Sequence, residues 1–236
     1  MRIVFLIIFF GINLIFGQNI KIPEITPEQK ENANTVKISD FQTIEYKSYN
    51  KVISSNKYVV LVLNEFGFNA LDLSENYNKS NKIKNLNVTV YNSSGFKVKK
   101  FGKADFKDRS LLDDSTMFSD SRLLFLDYTP TAYPFVLEYE CETESVNTAF
   151  LNAWSPISRL HETVLEAKLE IIKTPEFEVN LKFQKLEEFN VEKLDSSTKT
   201  IFTAKNIMAI KPEAYADYSK EFLLRSQVRY GTFRNS

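Results

Sequence analysis

Apolar side chains recur at every second position through long parts of the chain, and this period limits the folds open to it. The clearest example is EAKLEIIKTPEFEVNLKFQK, residues 166–185, where the alternation runs up to Thr174-Pro175 and resumes beyond it. Neighbouring side chains of a strand point to opposite faces, so the pattern predicts a pair of strands, each with one buried and one solvated face. Such strands are typical of antiparallel sheets.

Three further segments carry strand signals. Residues 58–63, YVVLVL, are apolar at both parities, which predicts a central strand covered on both faces, with a turn after it at 64–67. Residues 85–90 alternate again, and the polar NSSG beyond them predicts a hairpin in which Gly95 takes a positive φ. A short strand is predicted at 200–204.

These segments together define the expected fold class and domain limits. Many short strands separated by turn residues favour an all-β fold, an antiparallel β-sandwich with little helix. The one helix start is Thr26-Pro27-Glu28, which has the capping residue, proline and acidic residue of a first turn. We therefore predict a β-sandwich domain at 36–211, preceded by a lead segment at 18–35 and followed by a C-terminal extension at 212–236.

The N-terminal residues predict export. Residues 1–17, MRIVFLIIFFGINLIFG, have one basic residue followed by an apolar run that small Gly17 ends. This is the layout of a secretory signal peptide, and the run is short for a membrane span. We predict cleavage after Gly17, with an uncleaved anchor helix as the alternative. No cysteine lies near that position to carry a lipid, so the mature protein is expected to be soluble.

The charge balance argues against one class of partner. The chain has 30 basic and 30 acidic residues, and the predicted signal peptide contains one of the basic ones, Arg2. A nearly neutral mature chain has no electrostatic attraction for nucleic acid or for an anionic membrane surface. Neither is therefore expected as a partner.

Cys141 and His161 are the only cysteine and the only histidine, so a thiol nucleophile with its base has to be considered. In LEYEC, Cys141 shares parity with Leu137 and Tyr139, which predicts a position on the apolar face of a strand. The acidic residues around it would raise the pKa of the thiol. A zinc site lacks further ligands at suitable spacing. We therefore predict no catalytic residue, no metal site and no cofactor.

A second candidate is a group of aspartates between Lys103 and Arg122. Its members are Asp105, Asp108, Asp113, Asp114 and Asp120. Paired carboxylates can hydrolyse a glycosidic bond or bind calcium, yet the stretch lacks the repeated Asp-x-Asp pattern of a calcium loop. Loop aspartates commonly cap backbone amides, and this structural role is the preferred interpretation. Asp105 and Asp120 are kept as candidates for ligand binding.

Residues 119–122, SDSR, form a compact polar group in front of the apolar run LLFL. Neither serine has a histidine beside it to act as a base, which argues against a serine nucleophile. Asp120 can accept hydrogen bonds from backbone amides, and Arg122 can pair with Asp120 or with a carboxylate across the sheet. We interpret the group as the start of a strand and keep Arg122 as a further candidate for ligand binding.

Aromatic residues offer a last candidate site. Tyr128, Tyr133, Phe135 and Trp154 could form a platform on which a sugar ring stacks. Aromatic side chains more often fill a core or cover its end. Trp154 is kept as the aromatic candidate for ligand binding.

The order of several segments resembles a known family. The segments include residues 45–73, YNSSG at 91–95, SDSR at 119–122, YPFVLEYE at 133–140 and KNIMAIKPEAY at 205–215. Together they resemble the exported bacterial domain of unknown function that precedes a transglutaminase-like domain, which is frequent in Bacteroidota. The resemblance runs from about residue 36 to the C-terminal end.

This resemblance implies a non-catalytic β-sandwich, whose family carries its Cys-His-Asp chemistry in a following papain-like domain. Cys141 and His161 match no position of that triad. The chain ends about where the transglutaminase-like domain would follow, so 212–236 is expected to lead towards it, in a stand-alone or truncated member or in one piece of a longer protein. The resemblance further implies export to the periplasm or cell surface of a diderm bacterium.

The expected function is therefore binding. The partner would be a transglutaminase-like protease or amidase domain or an envelope protein, or the ligand a glycan or peptide. The alternative is a carbohydrate-binding or carbohydrate-active envelope protein that uses the loop carboxylates and aromatic residues.

Overall fold

The computed structural model describes residues 19–111, 120–148, 154–174, 180–183, 189–211 and 228–231. The predicted signal peptide and most of the predicted C-terminal extension lie outside these residues, as do Asp113, Asp114 and Ser119. The described strands are β1 (Thr35–Ser48), β2 (Lys51–Val62), β3 (Ser74–Tyr77), β4 (Asn81–Asn92), β5 (Lys97–Gly102), β6 (Lys107–Ser110), β7 (Arg122–Phe125), β8 (Phe135–Ser145), β9 (Glu162–Ile172), β10 (Asn180–Phe183), β11 (Glu192–Asp195), β12 (Lys199–Ile207) and β13 (Val228–Gly231).

Eight of these strands form one large sheet in the order β11-β12-β9-β1-β2-β8-β4-β5. Its neighbours are antiparallel except β1 and β9, which run parallel. A second sheet has the order β3-β7-β6, and β10 pairs with β13 in a third. The prediction of a mostly antiparallel all-β fold with little helix is confirmed. Not every strand is short, since β1 has 14 residues and β2 has 12.

Two short helices are described, α1 (Pro27–Lys30) and α2 (Glu65–Ala70), with one 3-10 turn at Lys103–Asp105. The predicted start of α1 is confirmed, because Gln29 N donates to Thr26 Oγ1 and Thr26 N donates to Gln29 Oε1. None of the described helices has the length and apolar character needed to span a membrane.

The two strands predicted from residues 166–185 are present but do not pair with each other. β9 lies between β1 and β12 in the large sheet, whereas β10 pairs with β13. The apolar side chains of β9 lie on one buried face, where Ala167, Leu169 and Ile171 are 0% exposed. The sequence period determines the face to which each side chain points, but the partner of a strand depends on contacts distant in sequence.

The hairpin of β4 and β5 is confirmed, and the turn predicted at 64–67 is wrong. Gly95 has a φ of 83°, and a Cβ there would lie 2.2 Å from the carbonyl oxygen of Ile20, so the turn requires glycine. In the segment predicted as a turn, Asn64 Oδ1 accepts a hydrogen bond from Gly67 N at 3.0 Å and caps the helix α2. An asparagine followed by a polar residue can begin a helix as well as a turn, and here it begins a helix.

The large sheet buries apolar side chains on both faces. On one face lie two clusters, which we call the β8 core and the β9 core. The three-stranded sheet contributes to the β8 core through Leu124, and the segment before β9 contributes Trp154 and Ile157 to the β9 core. Strand residues of the β8 core include Val60, Val62, Val88, Leu137 and Phe135; those of the β9 core include Ile44, Val52, Leu169, Ile171 and Phe202.

The opposite face of the large sheet is covered at one end by the lead segment. Ile25 packs there with Val59, Leu61 and Val136. The alternation of Val59 and Leu61 with Val60 and Val62 therefore fills a core on each side of β2. This confirms the prediction that residues 58–63 form a central strand covered on both faces.

Candidate ligand-binding site

The face of β2 that carries the β8 and β9 cores is apolar at its two ends and polar in its middle. Val52 belongs to the β9 core, Tyr58 and Val60 belong to the β8 core, and Ser54 and Asn56 lie between the two cores. Residues two apart along a strand share a face, so all of these side chains point to the same side of the sheet. The sequence of β2 therefore opens a polar gap between two apolar clusters.

The strands on either side of β2 extend this gap. In β1, Asp40 is the partner of Tyr58 and Gln42 is the partner of Asn56. In β8, Tyr139 is the partner of Tyr58, and the two rings stack with centroids 4.8 Å apart and 12° between their planes. The stacked pair belongs to the β8 core and gives the gap an aromatic floor at that end.

A cavity of about 590 Å³ lies over these residues, and we call it the polar cavity. β3 supplies one wall with Glu75 and Asn76, and the segment before β9 supplies another with Trp154 and Arg159. The lining residues are Lys37, Asp40, Gln42, Asn56, Tyr58, Asp72, Ser74, Glu75, Asn76, Asn81, Tyr139, Thr143, Trp154, Ser155, Ser158 and Arg159. This volume lies within the range of small-molecule sites.

Three buried polar atoms of the lining residues have no hydrogen-bond partner within the part of the chain that the structure describes. They are Asn56 Oδ1, Tyr58 OH and Trp154 Nε1. Tyr58 is 9% exposed and Trp154 is 3% exposed. A buried polar group without a partner costs about 1–3 kcal/mol, so a polar group that enters the cavity and pairs with these three atoms would remove that cost.

A buried ion network forms one wall of the polar cavity. Lys37 Nζ donates to Asp40 Oδ2 at 2.8 Å and to Ser158 Oγ at 3.2 Å, and lies 3.5 Å from Glu162 Oε1. The other carboxylate oxygen of Glu162 accepts from Arg159 Nη1 at 3.2 Å. The two cations and two carboxylates therefore balance each other in charge.

Lys37 and Glu162 stay charged because groups of opposite charge lie close to them. Burial opposes the charge of Lys37, but Glu162 and Asp40 outweigh burial and raise the pKa of Lys37. Burial likewise opposes the charge of Glu162, yet Lys37 and Arg159 outweigh it and lower the pKa of Glu162. Both groups therefore stay ionised at neutral pH.

Glu75, on the wall that β3 supplies, has a raised pKa, in contrast to Glu162. Tyr139 OH donates a hydrogen bond to Glu75 Oε1. Burial raises the pKa of Glu75, and the hydrogen bond from Tyr139 offsets only part of that effect. No cation is among the causes that act on Glu75, which separates it from Glu162. Glu75 is therefore protonated more easily than Glu162.

We expect Glu75 to make stability fall as pH rises. The pKa of Glu75 is raised in the folded protein above 4.5, its value in the unfolded chain. The contribution of this carboxyl to the free energy of unfolding is therefore fully present below pH 4.5 and is lost as pH rises through the pKa of the folded protein. Glu75→Gln keeps an acceptor for Tyr139 without a titrating proton. The stability advantage of the variant over the original protein should therefore grow with pH, as measured by urea denaturation from pH 4 to pH 8.

Tyr139→Phe is the matched control for this measurement. It keeps the Glu75 carboxyl and removes one of the hydrogen bonds that lower its pKa, so the fall of stability with pH should persist. Parallel pH curves for the original protein and Glu75→Gln would contradict a raised pKa at Glu75.

The polar cavity lacks the arrangement of an activated nucleophile. Ser158 Oγ donates to Glu162 Oε1 at 3.0 Å, but a carboxylate with a lowered pKa is a poor base. Lys37 is held protonated and cannot accept a proton from that hydroxyl. Within the described ranges, no three His, Cys, Asp or Glu side chains lie close enough together to hold a metal ion.

Cys141 and His161 are far from forming a pair. Cys141 is buried in the β8 core, and burial followed by the nearby Glu75 raises the pKa of its thiol to about 12. His161 has a φ of 57° at the start of β9, and its Nδ1 lies 2.9 Å from the carbonyl oxygen of Asn32. The predicted apolar-face position and raised pKa of Cys141 are confirmed.

The aspartate candidates have structural partners. Asp105 Oδ2 accepts from Gly102 N at 2.7 Å and caps the 3-10 turn, and Asp120 Oδ2 accepts from Lys79 N at 3.2 Å. Asp113 and Asp114 lie outside the described residues. Neither Asp105 nor Asp120 lines the polar cavity. The structure therefore places both where their carboxylates satisfy backbone amides, as expected for loop aspartates.

Arg122 begins β7, so the interpretation of SDSR as the start of a strand is confirmed. Its Nη2 lies 3.1 Å from Asp108 Oδ2, and its Nε is 3.0 Å from Tyr77 OH. The hydrogen bond from Arg122 lowers the pKa of Asp108. The sequence left two partners open for Arg122, namely Asp120 or a carboxylate across the sheet. In the structure its partner is Asp108 of the neighbouring strand β6.

The four aromatic candidates do not form one platform. Tyr128 and Phe135 pack around Phe68 beside the β8 core, and Tyr133 packs on Phe135. Trp154 lies in the β9 core, where its ring centroid is 6.3 Å from that of Phe202. Of the predicted site residues, Trp154 alone lines the polar cavity, and it does so with its unpartnered Nε1.

Sequence reasoning missed the other residues of the polar cavity. Asn56 interrupts the core face of β2, and this interruption was visible in SSNKYVV. Glu75 lies on a strand too short for a period to show. Lys37 is placed on the cavity face by a bulge in β1 between Lys37 and Ser39, which breaks the alternation.

Comparison with known proteins agrees with this architecture. The model of the domain of unknown function DUF3857, a family with a solved structure, matches residues 50–211. No curated protein matches the chain. A crystal structure of a "putative protease" from Parabacteroides distasonis ATCC 8503 is 11% identical with a TM-score of 0.63, over 84% of this chain and 40% of that one. The likeness shows a shared fold, and the chain spans well under half of that protein's length.

A second solved structure is more distant. It is a "putative nutrient binding protein" from Legionella pneumophila subsp. pneumophila str. Philadelphia 1, which is 9% identical over 85% of this chain and 68% of that one. Its TM-score is 0.36, too low to indicate a common fold.

Proposed function

The chain belongs to the family of the domain of unknown function DUF3857, and we propose that it is a non-catalytic binding module whose ligand occupies the polar cavity. The observation that carries the proposal is the set of three buried, unpartnered atoms on Asn56, Tyr58 and Trp154. A ligand that hydrogen-bonds to them removes their desolvation penalty and thereby gains affinity. The non-catalytic part of the proposal is supported by Ser158, which donates to a carboxylate of lowered pKa, and by Lys37, which is held protonated.

The test uses the single tryptophan as a reporter, because Trp154 lines the polar cavity. The purified protein is titrated with three classes of probe, which are neutral sugars, amino acids and short peptides. We expect at least one class to change the emission of Trp154 and to raise the thermal midpoint of unfolding, since a ligand that binds only the folded state stabilises it.

Two variants assign the binding to the polar cavity. Asn56→Ala removes one unpartnered acceptor and should weaken binding roughly 3- to 10-fold, the value of one hydrogen bond. Ser55→Ala is the matched control, because Ser55 is the next residue of β2 and points to the opposite face. Absence of binding by all three classes, or equal affinities of the two variants, would reject the proposal.

We further propose that the module serves a transglutaminase-like protease or amidase domain, or another envelope protein, after export to the periplasm or cell surface. The apolar N-terminal residues support export, and the segment order of the chain supports that partner. A protein described as a "putative protease" contains this fold in 40% of its length, which is compatible with a module beside a catalytic domain. Size-exclusion chromatography of the chain mixed with such a domain tests the pairing, and separate elution would contradict it.

A further inference from the structure

We infer that the ligand of the polar cavity is an uncharged, polyhydroxylated compound, a mono- or disaccharide. This inference rests on the proposed function, because it names the class of ligand for the same site. It is carried by the pairing of the lining cations, by the identity of the unpartnered atoms and by the remaining lining side chains.

The two lining cations, Lys37 and Arg159, leave no positive charge for a ligand to neutralise. Lys37 is bonded to Asp40, and Arg159 is bonded to Glu162. Ser158 adds an oxygen acceptor for Lys37 Nζ, so that all three ammonium donors have oxygen atoms within 3.5 Å. A carboxylate on a ligand would find no unpaired cation among the described lining residues and would face the carboxylates of Asp72 and Glu75, which is costly in a buried region.

The unpartnered atoms are neutral and of both kinds. Trp154 Nε1 can only donate, Asn56 Oδ1 can only accept, and Tyr58 OH can do either. A hydroxyl group donates and accepts at the same oxygen, so neighbouring hydroxyls on one ring can satisfy all three atoms. A ligand with only acceptors, such as an ether or a ketone, would leave Asn56 unsatisfied.

The other lining residues have the same chemistry. Amide and hydroxyl side chains predominate among them: Gln42, Ser74, Asn76, Asn81, Thr143 and Ser155. The stacked rings of Tyr58 and Tyr139 and the indole of Trp154 add apolar surface beside these polar groups. Amphipathic aromatic side chains with neutral hydrogen-bonding neighbours match a sugar, whose ring faces are apolar and whose edges carry hydroxyls.

Matched probes test the class of ligand. D-Glucose, D-galactose, D-mannose and N-acetylglucosamine are the neutral probes, and D-glucuronate and D-glucosamine carry one charge on a similar ring. Binding is measured by isothermal titration calorimetry and by the emission of Trp154. We expect at least one neutral sugar to bind, and D-glucuronate to bind at least tenfold more weakly than that neutral sugar.

Two variants link this binding to the named atoms. Trp154→Phe retains an aromatic ring but lacks the Nε1 donor, and Tyr58→Phe lacks only the hydroxyl. Each variant should weaken the binding of the neutral sugar roughly 3- to 10-fold, as measured by calorimetry. Thr43→Ala, on the opposite face of β1 from Gln42, should bind as the original protein does.

The outcomes separate this inference from the proposed function. Binding only of charged sugars, amino acids or peptides, with weakening by Asn56→Ala, would overturn the sugar assignment and retain the binding module. Failure of every class of probe would overturn both. Neutral-sugar binding that Trp154→Phe, Tyr58→Phe and Asn56→Ala leave unchanged would place the sugar elsewhere and overturn the assignment to the polar cavity.

Discussion

Replacement of Glu162 by alanine is expected to lower the free energy of unfolding by about 3–5 kcal/mol, the cost of breaking a buried ion pair by removing one partner. Glu162 is 0% exposed and accepts hydrogen bonds from Ser158 and Arg159 while lying 3.5 Å from Lys37. Lys37 is 5% exposed, and without Glu162 its one remaining carboxylate neighbour among the described residues is Asp40. Urea denaturation at neutral pH measures the difference.

The ion pair of Lys47 and Glu45 provides the control. Their side chains are 46% and 33% exposed, and the charged atoms are 2.5 Å apart. Because solvent screens such a pair, Lys47→Ala should cost about 0–1 kcal/mol. A similar loss for Lys47→Ala and Glu162→Ala would show that burial of the network does not determine its strength.

The effect of Glu162 also has an expected pH dependence. The pKa of Glu162 is lowered in the folded protein, so its contribution is present above the unfolded value of 4.5 and is lost as pH falls through the folded value. The difference between the original protein and Glu162→Ala should therefore shrink at acid pH. Glu75 changes stability in the opposite direction, and Glu75→Gln separates the two effects.

The features of the fold that the sequence predicted are those encoded within one strand. The faces of β9 and of β4 follow from a period of two, and the φ of Gly95 follows from the hairpin turn. The partners of strands could not be predicted in the same way. β1 is the parallel neighbour of β9 although residues 49–161 lie between them, and no local pattern specifies that pairing.

The candidate site was less predictable because it is built from interruptions of the pattern. The bulge at Ile38 places Lys37 and Asp40 on one face, and a charged residue in a strand is ordinarily taken as solvated. Trp154 was identified as a candidate, but its neighbours Asn56 and Glu75 come from strands distant in sequence. A cavity requires these elements to pack together, which alternation along one strand does not show.

Phe202 is expected to be the core residue on which the position of Trp154 depends most. It is 0% exposed in β12, where its partner across the sheet is Leu169 of β9, and its ring lies beside the indole of Trp154. Truncation of a buried phenylalanine leaves a void that neighbours fill only in part, so Phe202→Ala should lower the free energy of unfolding by about 3–5 kcal/mol. Urea denaturation measures this loss.

Phe202→Ala should also change the polar cavity, although Phe202 is not one of its lining residues. With Phe202 truncated, the indole of Trp154 gains room to move, so its emission in the folded protein should shift to longer wavelength and probe binding should weaken. Leu194→Ala is the control, because Leu194 is 69% exposed on the edge strand β11 and its loss should change stability by about 0.5 kcal/mol or less. A large loss of stability in Phe202→Ala with unchanged Trp154 emission would show that the cavity wall is positioned independently of the β9 core.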